Sequence, residues 1–512
     1  MPGETSEDNT ARVASRVGHG GAMLDKQVNP HVSRLFFRMS RIPALILGLL
    51  VVVPALSAPA ETLPSEVSQV LKRHGLSARG LSVYVHEVGQ PEPVLAISAD
   101  APRNPASTMK LLTTLVALEE LGPAYTWKTE AYASAPVRDG VLDGDLYIKG
   151  YGDPYLVIEH FWRFLRALRK GGLTDIRGDL VIDQGFFEPA PGQPADFDHR
   201  PQRAYNVQPH ALLVNFQAVN VRFLPQPRQQ RVQIVADPQP AQFAIDNRVR
   251  LTNGPCGGGA RAVGMQVAER AGFQKMVFSG RYSVHCGDDE FYRVVAEPDQ
   301  YVHGVFKTLW QEMGGRFAGG VREGVVPDGA VLLHSAVSPP LSEIIRVVNK
   351  YSNNVMTRQL LLTLGAEKYG APGTVDKGVA VIQEWLRQHH LEFTELVLEN
   401  GAGLSREERI SARHLGAVLL TAWQSPYMPE FLASLPILSM DGTLKHRSGG
   451  GLAGRAHLKT GSLSDVRAQA GVLLDEHGRR MVVVILQNAA SAESAAGEAV
   501  QNALLSWVSQ RP

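Results

Sequence analysis

A serine and a lysine stand three residues apart in Ala106-Ser107-Thr108-Met109-Lys110. Residues at that spacing share one helix face and can touch. A serine hydroxyl is a poor nucleophile at neutral pH and needs a nearby base. A lysine held in a partly dry site can be that base, and a helix N-terminus favours developing negative charge. The chemistry on offer is attack on a carbonyl through a covalent intermediate on Ser107. Taken alone the tetrad is weak. Ser-x-x-Lys arises by chance about once in 400 positions, and a capping serine beside a solvated lysine accounts for it. Two further sets carry matching groups: Ser352-Asn353-Asn354 offers a second hydroxyl and an amide, and Lys459-Thr460-Gly461-Ser462 a second cation followed by hydroxyls.

Leu111, Leu112, Leu115, Val116, Leu118 and Leu121 recur at helical spacing and predict a helix that buries one side and ends at Gly122-Pro123. A second helical pattern covers residues 341–348, breaks over 349–354 and resumes over 355–364, so Ser352 and Asn354 fall on a loop between helices. Residues 455–462 read as a strand before a hairpin. Strands at 468–474 and 481–487 and a last helix over 493–509 follow. Near the front, Leu81, Val83 and Val85 alternate with Ser82, Tyr84 and His86 ahead of a turn at Gly89-Gln90-Pro91, a hairpin leading into the Ser107 segment. Together these elements imply an α/β sandwich built from the two ends of the chain.

The middle third reads differently. Residues 131–148 are β, with turns at Asp139-Gly140 and Asp143-Gly144. Gly150-Tyr151-Gly152-Asp153-Pro154 is a turn, not a phosphate loop, since no Gly-Lys-Ser/Thr follows. Ile158–Lys170 is an amphipathic helix closed by Gly171-Gly172, residues 186–210 are irregular surface, and 219–295 is a run of short strands.

The chain has 512 residues, 44% hydrophobic and 20% charged, with a formal net charge of +1. That is globular composition with room for roughly two to four domains. The balanced charge argues against nucleic acid as a partner. Residues 1–60 stand apart: Arg34, Arg38 and Arg41, an apolar core over 44–53 and the small-residue site Ala58-Pro59-Ala60 have the layout of a secretory signal peptide, and hence of export to the periplasm. A retained anchor is the alternative, although the apolar run is short for a membrane span. Met39 is a second candidate start. Cys256 and Cys286 suit a single disulfide in an oxidising compartment, or else two buried thiols. Neither they nor His389-His390 have the spacing of a metal site, and no cofactor is implied. His457 shares a strand face with Lys459, which leaves it a structural role or one in the cleft.

Ser-x-x-Lys, Ser-x-Asn and Lys-Thr-Gly in this order form the signature of penicillin-binding proteins and serine β-lactamases, which the chain resembles. Roughly 245 residues separate Ser107 from Ser352, an interval that β-lactamases fit into a few dozen. So long an insertion marks the class C low-molecular-weight penicillin-binding proteins, the S13 peptidase family of D-alanyl-D-alanine carboxypeptidases/endopeptidases. The chain is similar to that family from about Leu63 to Trp507. Further matching segments are Gly178-Asp179-Leu180-Val181-Ile182-Asp183, Tyr205-Asn206-Val207-Gln208-Pro209, Gly401-x-Gly403-Leu404-Ser405-Arg406 and Asp441-Gly442-Thr443-Leu444.

The resemblance implies a β-lactamase/transpeptidase-like α/β sandwich at 61–127 and 334–512. Two smaller, mainly β domains are nested in its insertion, one at 128–153 and 223–333, the other at 154–222. It implies Ser107 as nucleophile and Lys110 as its base, with Ser352 relaying a proton to the leaving nitrogen, assisted by Lys459. Asn354 would orient Lys110 and the acyl amide. The backbone N–H groups of Ser107 and Ser462 would form an oxyanion hole; Lys459, Thr460, Gly461 and Ser462 would bind a terminal carboxylate. The implied partners are peptidoglycan stem peptides, cut at D-Ala-D-Ala or D-Ala-diaminopimelate bonds, and β-lactam antibiotics as acylating inhibitors. Asp198 lies nearest the place of an insertion-domain aspartate that meets the free end of diaminopimelate. Ala402 departs from the family by replacing a serine. A serine β-lactamase and a catalytically silent murein-binding protein are the alternatives, and peripheral membrane association and oligomeric state stay open.

Overall fold

Leu81–Glu87 and Arg480–Asn488 lie side by side, with Val83 opposite Ile485 and Tyr84 opposite Val484, so the two ends of the chain share one sheet. The structure, a computed structural model, describes residues 62–511 apart from 190, 271 and 272, and the expected signal peptide lies outside the described residues. The sheet has five antiparallel strands in the order Ala456–Leu463, Val466–Leu474, Arg480–Asn488, Leu81–Glu87, Leu95–Ile97. Side chains alternate across it. Val83, Val85, Val483 and Ile485 pack with Val67, Leu71, Val500 and Leu504 of the terminal helices Ser65–His74 and Ala495–Gln510. Tyr84, Val482, Val484 and Leu486 join a second core with Leu112, Leu115 and Leu419. The alternation at 81–86 therefore sorts side chains between two cores, not between core and water, and all six residues are buried.

The helix Lys110–Leu121 runs through the second core. Every residue from Lys110 to Leu118 is buried, where the apolar spacing had suggested one side. The helices Leu341–Tyr351, Asn354–Tyr369 and Ala412–Gln424 all pack against it, and its buried Thr113 and Thr114 hydroxyls donate to the carbonyls of Gly401 and Lys110. The break expected over 349–354 is shorter. The first helix continues to Tyr351, Ser352 takes a left-handed φ of 58°, and Asn353 caps the next helix by accepting from the Met356 N–H at 3.1 Å.

Residues 128–337 hold three more sheets. One orders Val321–Glu323, Leu180–Asp183, Leu146–Gly150, Lys128–Ala133 and Val331–Val337; Leu180–Asp183, which falls within 154–222, pairs in parallel with both of its neighbours. A second gathers four two-residue strands around Asp175–Ile176. The third has six strands, one of them Phe273–Ser283 at 11 residues, longer than the short strands expected. Ile158–Lys170 is helical as read, burying Phe161, Phe164, Leu165 and Leu168. The 186–210 segment is not all surface: Asn206 and Val207 are buried, and Val207 packs with Val355.

Cys256 and Cys286 are bonded, closing a loop within the six-stranded unit. Closing a loop of about 30 residues removes roughly 3–4 kcal/mol of chain entropy from the unfolded state. A Cys256→Ala/Cys286→Ala double variant should therefore melt at lower temperature by calorimetry. Its rate of β-lactam acylation should match wild type, because this sheet is separate from the one that carries Lys459.

Candidate active site

Ser107 is half-buried in the 3₁₀ turn Ala106–Met109, which runs directly into the helix Lys110–Leu121. Lys110, the first residue of that helix, has no exposed surface. Its Nζ donates to Ser107 Oγ at 3.0 Å, to Asn354 Oδ1 at 2.7 Å and to the Ala402 carbonyl. Burial holds its pKa well below the ordinary lysine value, and the charge of Lys459 adds to that depression. A neutral Lys110 would use its two N–H bonds on Asn354 and Ala402. Its lone pair is then left for the proton of Ser107.

A second serine and lysine also meet. Ser352, at the left-handed junction between two helices, accepts from Lys459 Nζ at 2.7 Å, and the same Nζ donates to the Thr460 carbonyl at 2.9 Å. Lys459 also has no exposed surface, and burial pushes its pKa down to about 7. Thr460 Oγ1 donates to Thr443 Oγ1 at 2.8 Å. Beside Thr443, Asp441 forms a 2.6 Å ion pair with the nearly buried Lys350, two residues before Ser352. That pair ties the turn under Thr460 to the helix that presents Ser352. Thr460, Gly461 and Ser462 line a cavity of about 310 Å³ with Thr443, Arg447 and Arg467.

Two glycines set the closeness of approach. A Cβ on Gly461 would stand 2.9 Å from Ser107 N and 2.8 Å from the Pro105 carbonyl, so the Lys459 strand lies flush on the Ser107 turn. Gly403 has φ +77°, and a Cβ there would lie 1.8 Å from the Ala106 carbonyl. Only glycine fits both the backbone and the gap.

Asp198 is engaged within its own segment. Its carboxylate accepts from Tyr205 Oη at 2.6 Å, Asn206 Nδ2 at 2.7 Å and the Arg200 N–H at 3.1 Å. The Tyr205 carbonyl in turn accepts from Asn354 Nδ2 at 3.2 Å, which links the insertion to the cleft. His457 Nδ1 lies 3.3 Å from the Leu432 carbonyl, a structural contact. Sequence reasoning missed Lys350, the carbonyls of Ala402 and Tyr205, and the wholly buried Glu408. The first lay two residues from a recognised motif; backbone acceptors leave no residue-type signal, and Glu408 reads as part of a solvated Glu-Glu-Arg run.

The model of the D-Ala-D-Ala carboxypeptidase 3 (S13) family matches residues 63–511. The chain is 30% identical over 455 residues to the D-alanyl-D-alanine carboxypeptidase of Actinomadura sp. (strain R39), covering 85% of this chain and 84% of that one. It is 24% identical over 389 residues to the D-alanyl-D-alanine carboxypeptidase DacB of Haemophilus influenzae, covering 74% and 79%. The crystal structure of penicillin binding protein 4 (dacB) from Haemophilus influenzae superposes with a TM-score of 0.70 at 21% identity, over 86% of this chain and 99% of that one. The shared fold is a transpeptidase-like α/β architecture with additional domains. A match of that extent places the chain in the D-Ala-D-Ala carboxypeptidase 3 (S13) family.

Proposed function

We propose that the chain works in the periplasm as a serine-type D-Ala-D-Ala carboxypeptidase with D,D-endopeptidase activity on peptidoglycan stem peptides, and that β-lactams acylate it. The supporting observation is the pair of buried lysines, each within hydrogen-bond reach of a serine, at 3.0 and 2.7 Å. Lys110 takes the Ser107 proton as Oγ bonds to the carbonyl carbon of the penultimate D-Ala. The oxyanion that forms is held by the N–H groups of Ser107 and Ser462. As the peptide C–N bond breaks, Ser352 hands its proton to the leaving amine and is reprotonated from Lys459. Water then adds to the acyl carbonyl and gives up a proton that restores Lys459, while Lys110 returns its proton to Ser107 Oγ as the ester bond breaks. Asn354 orients Lys110 and the acyl amide; Lys459, Thr460, Gly461 and Ser462 hold the substrate's terminal carboxylate. Asp198 would meet the free amine of a diaminopimelate side chain through the lone pairs left by its bonds to Tyr205, Asn206 and Arg200.

Export rests on the signal-peptide layout of residues 1–60. Among the described residues no helix is long and apolar enough to cross a membrane. The strand pairing supports a division of the insertion in which 128–183 and 298–337 form one unit and 219–293 the other.

Mass analysis of purified muropeptides after incubation with the protein should show loss of terminal D-Ala and opening of cross-linked dimers. Ser107→Ala should slow both by at least about 10³-fold. Muropeptides left intact by the folded wild-type protein would refute the proposal, and rapid continuing turnover of nitrocefin would favour a β-lactamase instead.

Burial of Lys459 has a stability signature as well. A lysine whose folded pKa is lowered binds fewer protons folded than unfolded, so stability rises with pH between the two values. Its cost is full below about 7 and fades towards about 10.4. The urea midpoint should climb over that interval, and Lys459→Met should flatten the climb.

A further inference from the structure

Glu408 has no exposed surface, and one oxygen explains only half of why it is there. Oε1 accepts from the backbone N–H groups of Glu399 at 3.2 Å, Asn400 at 2.9 Å and Gly401 at 2.8 Å. Oε2 is buried without a partner. Three N–H groups could be satisfied as well by an amide oxygen, without the cost of desolvating a charge. The charge itself needs a reason.

The surroundings supply one. Glu408 grips the N–H of Gly401, and Lys110 grips the carbonyl of the next residue, Ala402, so one short loop is held by a carboxylate and an amine. The charged groups that reach Lys110 are Lys459 from the neighbouring strand, Arg358 from the helix Asn354–Tyr369, and Glu408. All three are buried. Arg358 hydrogen-bonds only the Val207 carbonyl and Gln208 Oε1 among the described residues, at 3.3 and 3.2 Å, and its Nε has no partner. Apart from Glu408, the acid that reaches Arg358 is Glu399, which is exposed. Lys110 and Arg358, two buried basic groups, therefore share one buried carboxylate, while Lys459 adds a like charge beside Lys110.

We propose that Glu408 is a positioning residue for acylation: its carboxylate is the buried counter-charge that steadies the protonated Lys110 and so sets the pH at which Lys110 becomes free to accept the Ser107 proton. The inference rests on the reading of Lys110 as base. Burial raises the Glu408 pKa and lowers that of Lys110, while each charge favours the other, the carboxylate raising Lys110 and the ammonium lowering Glu408. Replacing the carboxylate with an amide leaves Lys110 facing like charges alone. Its proton is then lost at lower pH.

The test is the second-order rate of acylation by a fluorescent penicillin from about pH 4 to 10, for wild type, Glu408→Gln and Arg358→Gln. Acylation needs neutral Lys110, so the profile has an acid limb. Glu408→Gln keeps the oxygen that receives the three N–H groups and should move that limb down by about one unit, about a tenfold gain relative to its own plateau at a pH on the limb. Arg358→Gln removes a like charge and should move the limb up. A carboxylate that serves only to hold the loop would leave the limb in place. Coincidence of the Glu408→Gln and wild-type limbs, or shifts of both variants in one direction, overturns the proposal. If Glu408→Gln does not fold, the Arg358→Gln shift decides: upward supports, none overturns. A folded wild type that penicillin fails to acylate at every pH overturns the role of Lys110 itself, a failure distinguishable from the absence of a shift.

Discussion

Two primary amines without exposed surface meet at the segment 352–354, Lys110 on Asn354 and Lys459 on Ser352, and much of the catalytic region can be understood as the means of burying them. An ammonium taken from water must be hydrogen-bonded or give up its proton. Lys110 finds Ser107, Asn354 and the Ala402 carbonyl; Lys459 finds Ser352 and the Thr460 carbonyl. None of these partners is local except Ser107 and Thr460. The Asn354 helix, the 400–405 loop and the Ser352 junction must all converge, and the insertion joins them through the Tyr205 carbonyl on Asn354.

The sheet makes that convergence rigid. Its central pair of strands comes from opposite ends of the chain, and helices cover both of its faces. The strand carrying Lys459 is fixed in register by Val466–Leu474 and held against the Ser107 turn at Gly461. A shift of one residue would turn Lys459 to the other face and leave its amine without Ser352. Placement of the reacting groups is therefore set by a continuous hydrogen-bonded ladder, with the Lys350–Asp441 pair bracing the helix that presents Ser352.

What could be read before the structure was known follows the range of the interactions. Ser107 and Lys110 are three apart, so their contact is local and spacing predicts it. Ser352 and Lys459 are 107 residues apart, and only the order of the three motifs hinted at their meeting. The helix ending at Tyr351 was cut short because Asn349 and Lys350 look like loop residues. Both are buried, Asn349 donating to Thr114 Oγ1 and Ser434 Oγ and Lys350 pairing with Asp441. Polar residues with dedicated partners in the core cannot be told by type from polar residues in water. The same ambiguity hid Glu408, and it left unseen that Ser82 and His86, the polar members of the strand at 81–86, are buried as well.

The most direct measurement is peptide mapping of the protein after reaction with a penicillin. If Ser107 is the nucleophile served by Lys110, digestion with trypsin should place the acyl mass on residues 104–110, at Ser107, in a one-to-one ratio. An adduct on the peptide that carries Ser352, or on any other residue, would contradict the account. So would the absence of an adduct on a correctly folded protein.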